Sequence, residues 1–378
     1  MNQAYLPFAR PTIDEDMIAA VGETLRSRWI ASGPQVAAFE KSLSGYLGGR
    51  PVRSMTSATA AMQLALEMLG IGPGDEVITP AQSFFCTGNV IERSGATTVF
   101  VDVDLVSRNL LMDAAHAAVT PRTRVLLPTH YNAPLDPAAL AAFRRRHGVR
   151  IVEDAALAIG SRAGGAPVGA TGDLVSFSFH PNKNLTTIEG GALAVNDADE
   201  ATSIERLRFH GISRLPDGTR DVEVPGGKYN MSDVSARLGN AQLPHLEAWC
   251  QARARLAAHY FECLQGDELL SPETLPQRDN PGHSWNMFTV LLPLAAARVT
   301  RKQFIEAMQQ EGIGIGLSYE AIHLTSYFRA KGFHEGQFPN SERIARETVT
   351  LPLYPEMTMA DVERVCAAMA GVLRRKAA

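Results

Sequence analysis

The amino-acid sequence predicts an α/β fold: a mainly parallel sheet with helices on both faces, followed by a smaller α+β domain. Three observations predict it. From about residue 55, short β-branched runs alternate with helical stretches, which is typical of a parallel sheet. This alternation ends at about residue 212, after which strands and helices mix. The length of 378 residues suits at least two domains of about 150 residues each.

The predicted strands of the large domain are short apolar runs, as expected for buried strands. They are EVIT (Glu76–Thr79), TTVFV (Thr97–Val101), RVLLP (Arg124–Pro128), RIVE (Arg150–Glu153), LVSFSF (Leu174–Phe179) and ALAVN (Ala192–Asn196). The accompanying helical stretches are Ala58–Leu69, Ser83–Ser94, Met112–Ala118 and Pro137–His147. Between the last two strands, the polar segment HPNKNLTTIEGG is predicted to carry function and not to form a tight hairpin.

The second half of the chain begins with residues 213–229, which are rich in Pro, Gly and charge and are predicted to form a long irregular loop. A long helix is predicted next, and then two strands and two further helices, the last of them with an amphipathic apolar stripe. These segments are Asn240–Leu264, then Asn286–Leu292 and Gly314–Leu317, then Arg301–Gln310 and Met359–Arg375. We place the large domain at 1–245 and the small C-terminal domain at 246–378.

Composition and charge exclude several classes of function. Hydrophobic residues make up 45% and charged residues 20% of the chain, which excludes intrinsic disorder of the whole chain. The net charge of −4 gives no electrostatic footprint for nucleic acid or an anionic membrane. No apolar run approaches the ~18 residues of a membrane-spanning helix, and the N-terminus does not resemble a signal peptide. Four widely spaced cysteines without a C-x-x-C pair indicate reduced thiols. We expect a cytoplasmic enzyme with no nucleic-acid or membrane partner.

Two residues at strand ends are candidates for catalysis. Asp154 ends RIVE, at the edge where open α/β sheets bind ligands, although a helix cap or loop carboxylate is an equally open interpretation. Lys183 follows LVSFSF, among small and hydroxyl residues. Most loop lysines are solvated, but one near apolar groups would lose hydration, and its pKa would fall until it could capture a carbonyl.

A third candidate is the segment Ser57–Thr59, which precedes a predicted helix. Free N–H groups at a helix N-terminus with hydroxyls beside them suit a phosphate, and taken alone the segment also suits an ordinary cap. The combination is more specific, because pyridoxal phosphate needs an amine for its aldehyde, a carboxylate for its ring nitrogen and donors for its phosphate.

Longer motifs extend this interpretation over nearly the whole chain. WIASGP (Trp29–Pro34), SATAAMQLAL, GPGDEVITP, VFVDVD, PTHY, VEDAA, FSFHPNKNLTTIEGGAL, FHG and YNMSDVSARLGNAQL follow one another. In these motifs and their order the chain resembles the sugar aminotransferases related to DegT, DnrJ, EryC1 and StrS. The resemblance implies the fold type I of pyridoxal-phosphate enzymes, with a large domain built on a seven-stranded sheet.

The resemblance also implies a reaction and its central residues. Lys183 would hold the cofactor aldehyde covalently and move the proton, while Asp154 would pair with the pyridine nitrogen. The small-molecule partners would be an amino donor, L-glutamate, and a carbonyl acceptor, a keto-sugar nucleotide. The protein would be a homodimer with shared active sites.

Further cofactor contacts follow from the same resemblance. Ser178 would bind the phosphate together with the backbone amides of Ala58 and Thr59. Phe84, in AQSFFCT, stands where an aromatic residue stacks on the cofactor ring. Asn230, in KYNMSD, matches an asparagine that reaches the phosphate from the neighbouring subunit, and a cap for a helix beginning near Ser232 is the alternative.

Three positions depart from the family pattern and keep other substrates open. Leu157 replaces the usual His or Gln near the ring hydroxyl, Asn132 replaces a common Gly, and Asn286 replaces a common His. An aminocyclitol, a polyamine or another small amine is therefore an alternative to the sugar. A sugar dehydratase would carry His where this chain has Lys183, and a non-catalytic regulator would not need both Lys183 and Asp154.

Overall fold

A seven-stranded sheet forms the centre of the computed structural model, which describes residues 4–131, 133–280 and 282–375. Within the described residues, the strands up to residue 194 are, in chain order, β1 (Val52–Met55), β2 (Glu76–Pro80), β3 (Thr97–Val101), β4 (Thr123–Leu126), β5 (Arg150–Asp154), β6 (Arg162–Ala163), β7 (Ala166–Pro167), β8 (Leu174–Ser178) and β9 (Gly191–Ala194). The sheet order is β1-β9-β8-β5-β4-β2-β3. Pairing is parallel from β8 to β3, and β9 runs antiparallel to both β8 and β1. The predicted α/β class and mainly parallel sheet are confirmed.

Helices cover the sheet and form much of the C-terminal part. In the described ranges they are α1 (Glu15–Ser27), α2 (Pro34–Tyr46), α3 (Ala58–Met68), α4 (Cys86–Ser94), α5 (Met112–Ala117), α6 (Pro137–His147), α7 (Ala198–Leu207), α8 (Asp233–Gln242), α9 (Leu246–Leu264), α10 (Leu294–Ala297), α11 (Arg301–Gln310), α12 (Ser326–Arg329), α13 (Pro339–Glu347) and α14 (Met359–Arg375). The alanine-rich α3 is buried along most of its length and packs on β8 and β9. None of the described helices is long and apolar enough to cross a membrane.

Two predictions in the middle of the chain are wrong. The irregular loop at 213–229 contains part of an antiparallel hairpin between β10 (Ile212–Arg214) and β11 (Arg220–Val222). The long helix predicted over Asn240–Leu264 is interrupted by a 3₁₀ turn at Leu243–His245, where Pro244 provides no backbone N–H for a continuous helix.

The strand predicted at Gly314–Leu317 is also wrong, since this segment forms only isolated bridges. Gly316 bridges Thr350, and the neighbouring Ile313 bridges Leu6. A side chain at Gly314 would clash with the Tyr5 hydroxyl at 2.6 Å, so the chain's N-terminal segment occupies this side. The small sheet instead pairs β12 (Phe288–Leu291) with β13 (Thr348–Leu351).

A large apolar core lies in the C-terminal part of the chain. It is formed by residues of α9, β12, β13, α11 and α14, and Leu6 from the N-terminal segment packs into it. The division into domains at residue 245 stays a prediction.

Candidate active site

The carboxyl ends of neighbouring sheet strands surround a cavity of about 270 Å³, near the lower limit of the ~300–1,000 Å³ usual for small-molecule sites. Six of the seven predicted site residues line it: Ala58, Thr59, Phe84, Asp154, Ser178 and Lys183. Parallel strands bring residues that are distant in sequence to one edge of the sheet, which explains how these segments meet.

Asp154 lies in the middle of this edge. It ends β5, next to Ser176 of β8 on one side and Thr129 after β4 on the other. Only 2% of the residue is exposed, and one carboxylate oxygen accepts the Ala156 N–H at 3.0 Å. Burial raises the pKa of Asp154, while the Ala156 N–H and the nearby Lys183 amine oppose the rise. A cationic N–H partner in the cavity would stabilise this carboxylate.

Lys183 places its amine in the same cavity. Burial lowers the pKa of Lys183 to about 8, although the Asp154 carboxylate opposes the shift. A neutral amine is the nucleophilic form, so the site favours reaction with a carbonyl. Two hydrogen bonds fix the loop that carries Lys183. Asn286 donates to the Asn182 carbonyl at 3.1 Å, and Asn184 donates to the Ser284 carbonyl at 3.0 Å.

The N-terminus of α3 presents backbone donors to the cavity. Ser57 caps the helix, since its hydroxyl accepts the Ala60 N–H at 3.0 Å and its carbonyl accepts the Ala61 N–H at 3.1 Å. The N–H groups of Ala58 and Thr59 have no acceptor within the helix, and Ser178 lies at the same cavity wall. Such a helix N-terminus fits a phosphate, so the capping and phosphate-binding interpretations are compatible.

Phe84 lies at the open side of the cavity, with 50% of the residue exposed. Its ring meets Tyr319 edge to face at 5.5 Å. A large half-exposed aromatic ring beside the buried Asp154 is available to cover a planar ligand.

Asn230 is the predicted residue that the structure does not bring to the cavity. It bridges Met55 of β1, and its amide donates to the Ser32 hydroxyl and accepts from the Lys228 amine. The alternative role as a helix cap is wrong, because Ser232 caps α8 by accepting the Ser235 N–H at 3.1 Å.

Sequence reasoning missed several cavity residues. Thr129, Ser83, Cys86 and Tyr319 line it, and burial raises the pKa of Cys86 to about 12, so its thiol is neutral. Thr129 directly follows the predicted strand Arg124–Pro128, and Ser83 and Cys86 lie in the predicted helix that follows the strand Glu76–Thr79. These positions are a signal that could have found them, whereas no motif precedes Tyr319.

The three family departures lie in different places. Leu157 lines the cavity, Asn286 supports the Lys183 loop from behind, and Asn132 lies outside the described residues.

The site therefore contains an amine of lowered pKa, a buried carboxylate and unpaired backbone donors on one cavity. This set fits pyridoxal phosphate, which needs one of each. No group of three or more metal-ligating side chains occurs within the described residues. Fold and site together define a pyridoxal-phosphate enzyme of fold type I.

Comparison with known proteins narrows this class. The chain belongs to the DegT/DnrJ/EryC1/StrS aminotransferase family, which matches residues 11–370. It is 38% identical over 394 residues to the UDP-4-amino-4-deoxy-L-arabinose–oxoglutarate aminotransferase of Shewanella sediminis, with 100% of both chains covered.

Solved structures agree with this assignment. The aminotransferase TlmJ from Streptoalloteichus hindustanus is 31% identical, with a TM-score of 0.90 over 99% of this chain and 100% of that chain. The PLP form of Spr1654 from Streptococcus pneumoniae is 28% identical, with a TM-score of 0.89 over 98% and 99%. The predicted family, fold type and cofactor are confirmed, and the chain is a pyridoxal-phosphate-dependent aminotransferase.

Proposed function

We propose that this aminotransferase transfers an amino group from L-glutamate to a keto-sugar nucleotide. The observation that carries the proposal is the meeting of Lys183, Asp154 and the α3 N-terminus at one cavity. The substrate class is supported by the Shewanella sediminis relative, whose name specifies a UDP-amino sugar and oxoglutarate. Oxoglutarate is the oxo acid that L-glutamate becomes when it gives up its amino group.

The residues divide the work of transamination. Pyridoxal phosphate supplies an aldehyde that captures amines and a ring that accepts the electron pair of the neighbouring carbon. The Lys183 amine, neutral above about pH 8, would take a proton from the substrate carbon and deliver it to the carbon that was the cofactor's aldehyde carbon. The Asp154 carboxylate would hold a proton on the ring nitrogen, and the Ala58 and Thr59 amides with Ser178 would anchor the phosphate.

A substrate panel tests this proposal directly. Keto-sugar nucleotides are compared with simple aldehydes, ketones and cyclitol ketones, with L-glutamate and alternative amines as donors. We expect turnover with glutamate and a keto-sugar nucleotide. Turnover with small amines or cyclitols alone would contradict the proposed substrate class.

The Lys183→Ala variant tests the site itself. The wild type should be yellow, and borohydride should bleach it by fixing the cofactor to Lys183. The variant should fold but neither form a reducible adduct nor turn over. If it still did both, another lysine would hold the cofactor and the assignment would be wrong.

We further propose a homodimer in which Asn230 reaches the partner's phosphate site. Its support is that Asn230 does not line its own cavity and bonds to Ser32 and Lys228, and that exposed apolar side chains lie close to these two partners. Phe209 is 40% exposed beside Lys228, and Trp29 is 61% exposed near the start of α8. Exposed apolar residues of this size favour an interface.

We also propose a cytoplasmic location. All four cysteines of the chain are free thiols, as expected where the environment is reducing.

A further inference from the structure

One wall of the cavity has no role in the proposed function. The sheet order places Ser178 and the α3 N-terminus on the side of β8, β9 and β1, and Asp154 of β5 at the centre. Beyond Asp154, on the side of β4 and β2, lie Thr129 and Ser83. The phosphate donors and this hydroxyl pair therefore lie on opposite sides of Asp154.

The two hydroxyl groups are bonded to each other and still have a donor to offer. The Ser83 and Thr129 oxygens are 3.0 Å apart, and the residues are 1% and 3% exposed although both line the cavity. Two hydroxyls carry two hydrogens, and the bond between them uses one. A buried hydroxyl hydrogen without an acceptor is costly, so the pair is suited to a ligand oxygen.

The chemistry of the cofactor determines which of its atoms comes to this wall. Pyridoxal phosphate carries its aldehyde between the ring hydroxyl and the phosphate arm, with the ring nitrogen opposite the aldehyde. If Asp154 pairs with the nitrogen, Lys183 with the aldehyde and Ser178 with the phosphate, the ring hydroxyl must lie on the side away from the phosphate.

We propose that Thr129, held by Ser83, donates the hydrogen bond to the cofactor's ring oxygen. Ser83 donates to the Thr129 oxygen, and the Thr129 hydroxyl hydrogen then points to the ring. The inference rests on the proposed function, because it uses the assigned roles of Asp154 and Lys183. The Thr129 hydroxyl would supply a hydrogen-bond donor to the ring oxygen in a chain where Leu157 replaces the His or Gln that is usual in the family.

The neighbouring side chains support this assignment. Leu157 has no donor and packs with Tyr131 and Met287. The Tyr131 hydroxyl donates to the Ser318 carbonyl, and the Gln82 amide reaches the Tyr131 oxygen at 3.4 Å. Of the side chains of Ser83, Gln82, Thr129 and Tyr131, the Ser83–Thr129 pair therefore has the hydroxyl hydrogen that is left for a ligand.

Thr129→Val tests the inference, since it removes the hydroxyl and keeps the shape. The readout is the pH titration of the visible absorbance of the cofactor bound to Lys183. A hydrogen bond from Thr129 would stabilise negative charge on the ring oxygen. When that bond is lost, the proton beside the ring oxygen is held more tightly, and the pH at which it dissociates rises. The midpoint should rise by about 1–2 pH units, as expected for one hydrogen bond to a charged group.

Four further variants separate this effect from structural damage. Thr129→Ser keeps a hydroxyl and should restore the wild-type midpoint, and adding Leu157→Gln to Thr129→Val should lower the raised midpoint. Thr79→Val removes a buried hydroxyl that bonds only within the sheet, to the Leu127 carbonyl, and should leave the midpoint unchanged. Ser83→Ala, which removes the support of Thr129, should raise the midpoint less than Thr129→Val.

The outcomes distinguish this inference from the proposed function. The titratable side chains lining the cavity are Cys86, Asp154, His180, Lys183, Glu189 and Tyr319, and every variant keeps them. A wild type without a visible band attached to Lys183 would refute the proposed function. A normal wild-type band whose midpoint does not move in Thr129→Val or Ser83→Ala would refute only the role of Thr129.

Discussion

Replacing Gly191 by Ala should displace the N-terminus of α3 and so weaken the proposed phosphate site. Gly191 opens β9 between Met55 of β1 and Ser178 of β8. A β-carbon placed there would lie 2.3 Å from the Ser57 carbonyl carbon and 2.4 Å from the Ala58 nitrogen. Both are backbone atoms, so no side chain can rotate away, and the N-terminus of α3 must move off the sheet.

The size of the effect follows from this close approach. Forcing extra volume into a packed region costs about 1–3 kcal/mol, and each 1.4 kcal/mol is a factor of ten in binding. If the displaced α3 amides bear the strain, the dissociation constant of pyridoxal phosphate should rise by roughly 5–150-fold. If the fold bears it, the unfolding free energy of the apoprotein should fall by the same ~1–3 kcal/mol.

Cofactor titration by absorbance and denaturant unfolding of the apoprotein measure the two contributions. Gly45→Ala is the matched control, because Gly45 lies in α2 with no atom within 4 Å of an added β-carbon. It should leave cofactor affinity unchanged and stabilise the helix by up to about 1 kcal/mol. Wild-type affinity and stability in Gly191→Ala would refute the argument that α3 and β9 are in contact through this glycine.

Three further predictions concern the ionisable and shared groups. Covalent capture of the cofactor by the apoprotein should accelerate about tenfold per pH unit up to about pH 8 and then level off, because only the neutral Lys183 amine reacts and its pKa is about 8. Stopped-flow absorbance measures the capture rate at each pH, and a midpoint of this pH profile near the pKa of an ordinary lysine would contradict the prediction. Asp154→Asn should bind the cofactor yet lose at least ~10²-fold in turnover, and near-normal rates would refute the role of its charge. Co-refolding Lys183→Ala with Asn230→Asp should restore activity, because one site of the mixed dimer then has an intact Lys183 and an intact partner Asn230; no recovery, with mixed dimers confirmed by mass, would refute a shared site.

The parallel strands could be predicted because their burial leaves a direct trace in the sequence. Thr97–Val101 matches its strand at both ends. The edge strand β1 could not be predicted in the same way, since VRSM contains Arg53 and Ser54. These polar side chains interrupt the apolar pattern of β1, whereas β3, at the other edge of the sheet, keeps a β-branched and aromatic run, TTVFV.

The site could be predicted where a short motif and a strand end coincide. Lys183 and Asp154 each follow such a strand, so the sequence already indicates that they share an edge of the sheet. Tyr319 reaches the cavity by tertiary contact alone, because its neighbour Ala321 bridges Gln82. A contact between segments so far apart in sequence has no periodic pattern from which to predict it.

The opposite pKa shifts of Lys183 and Asp154 have one cause, and this cause suits both proposed roles. Removal from water favours the neutral form of each group, so it lowers the pKa of the amine and raises the pKa of the carboxyl. A neutral amine is what carbonyl capture requires. A protonated ring nitrogen would stabilise the buried Asp154 carboxylate and would return the pKa of Asp154 toward the usual range. The same burial therefore favours the nucleophilic form of Lys183 and strengthens the attraction of Asp154 for the cofactor ring.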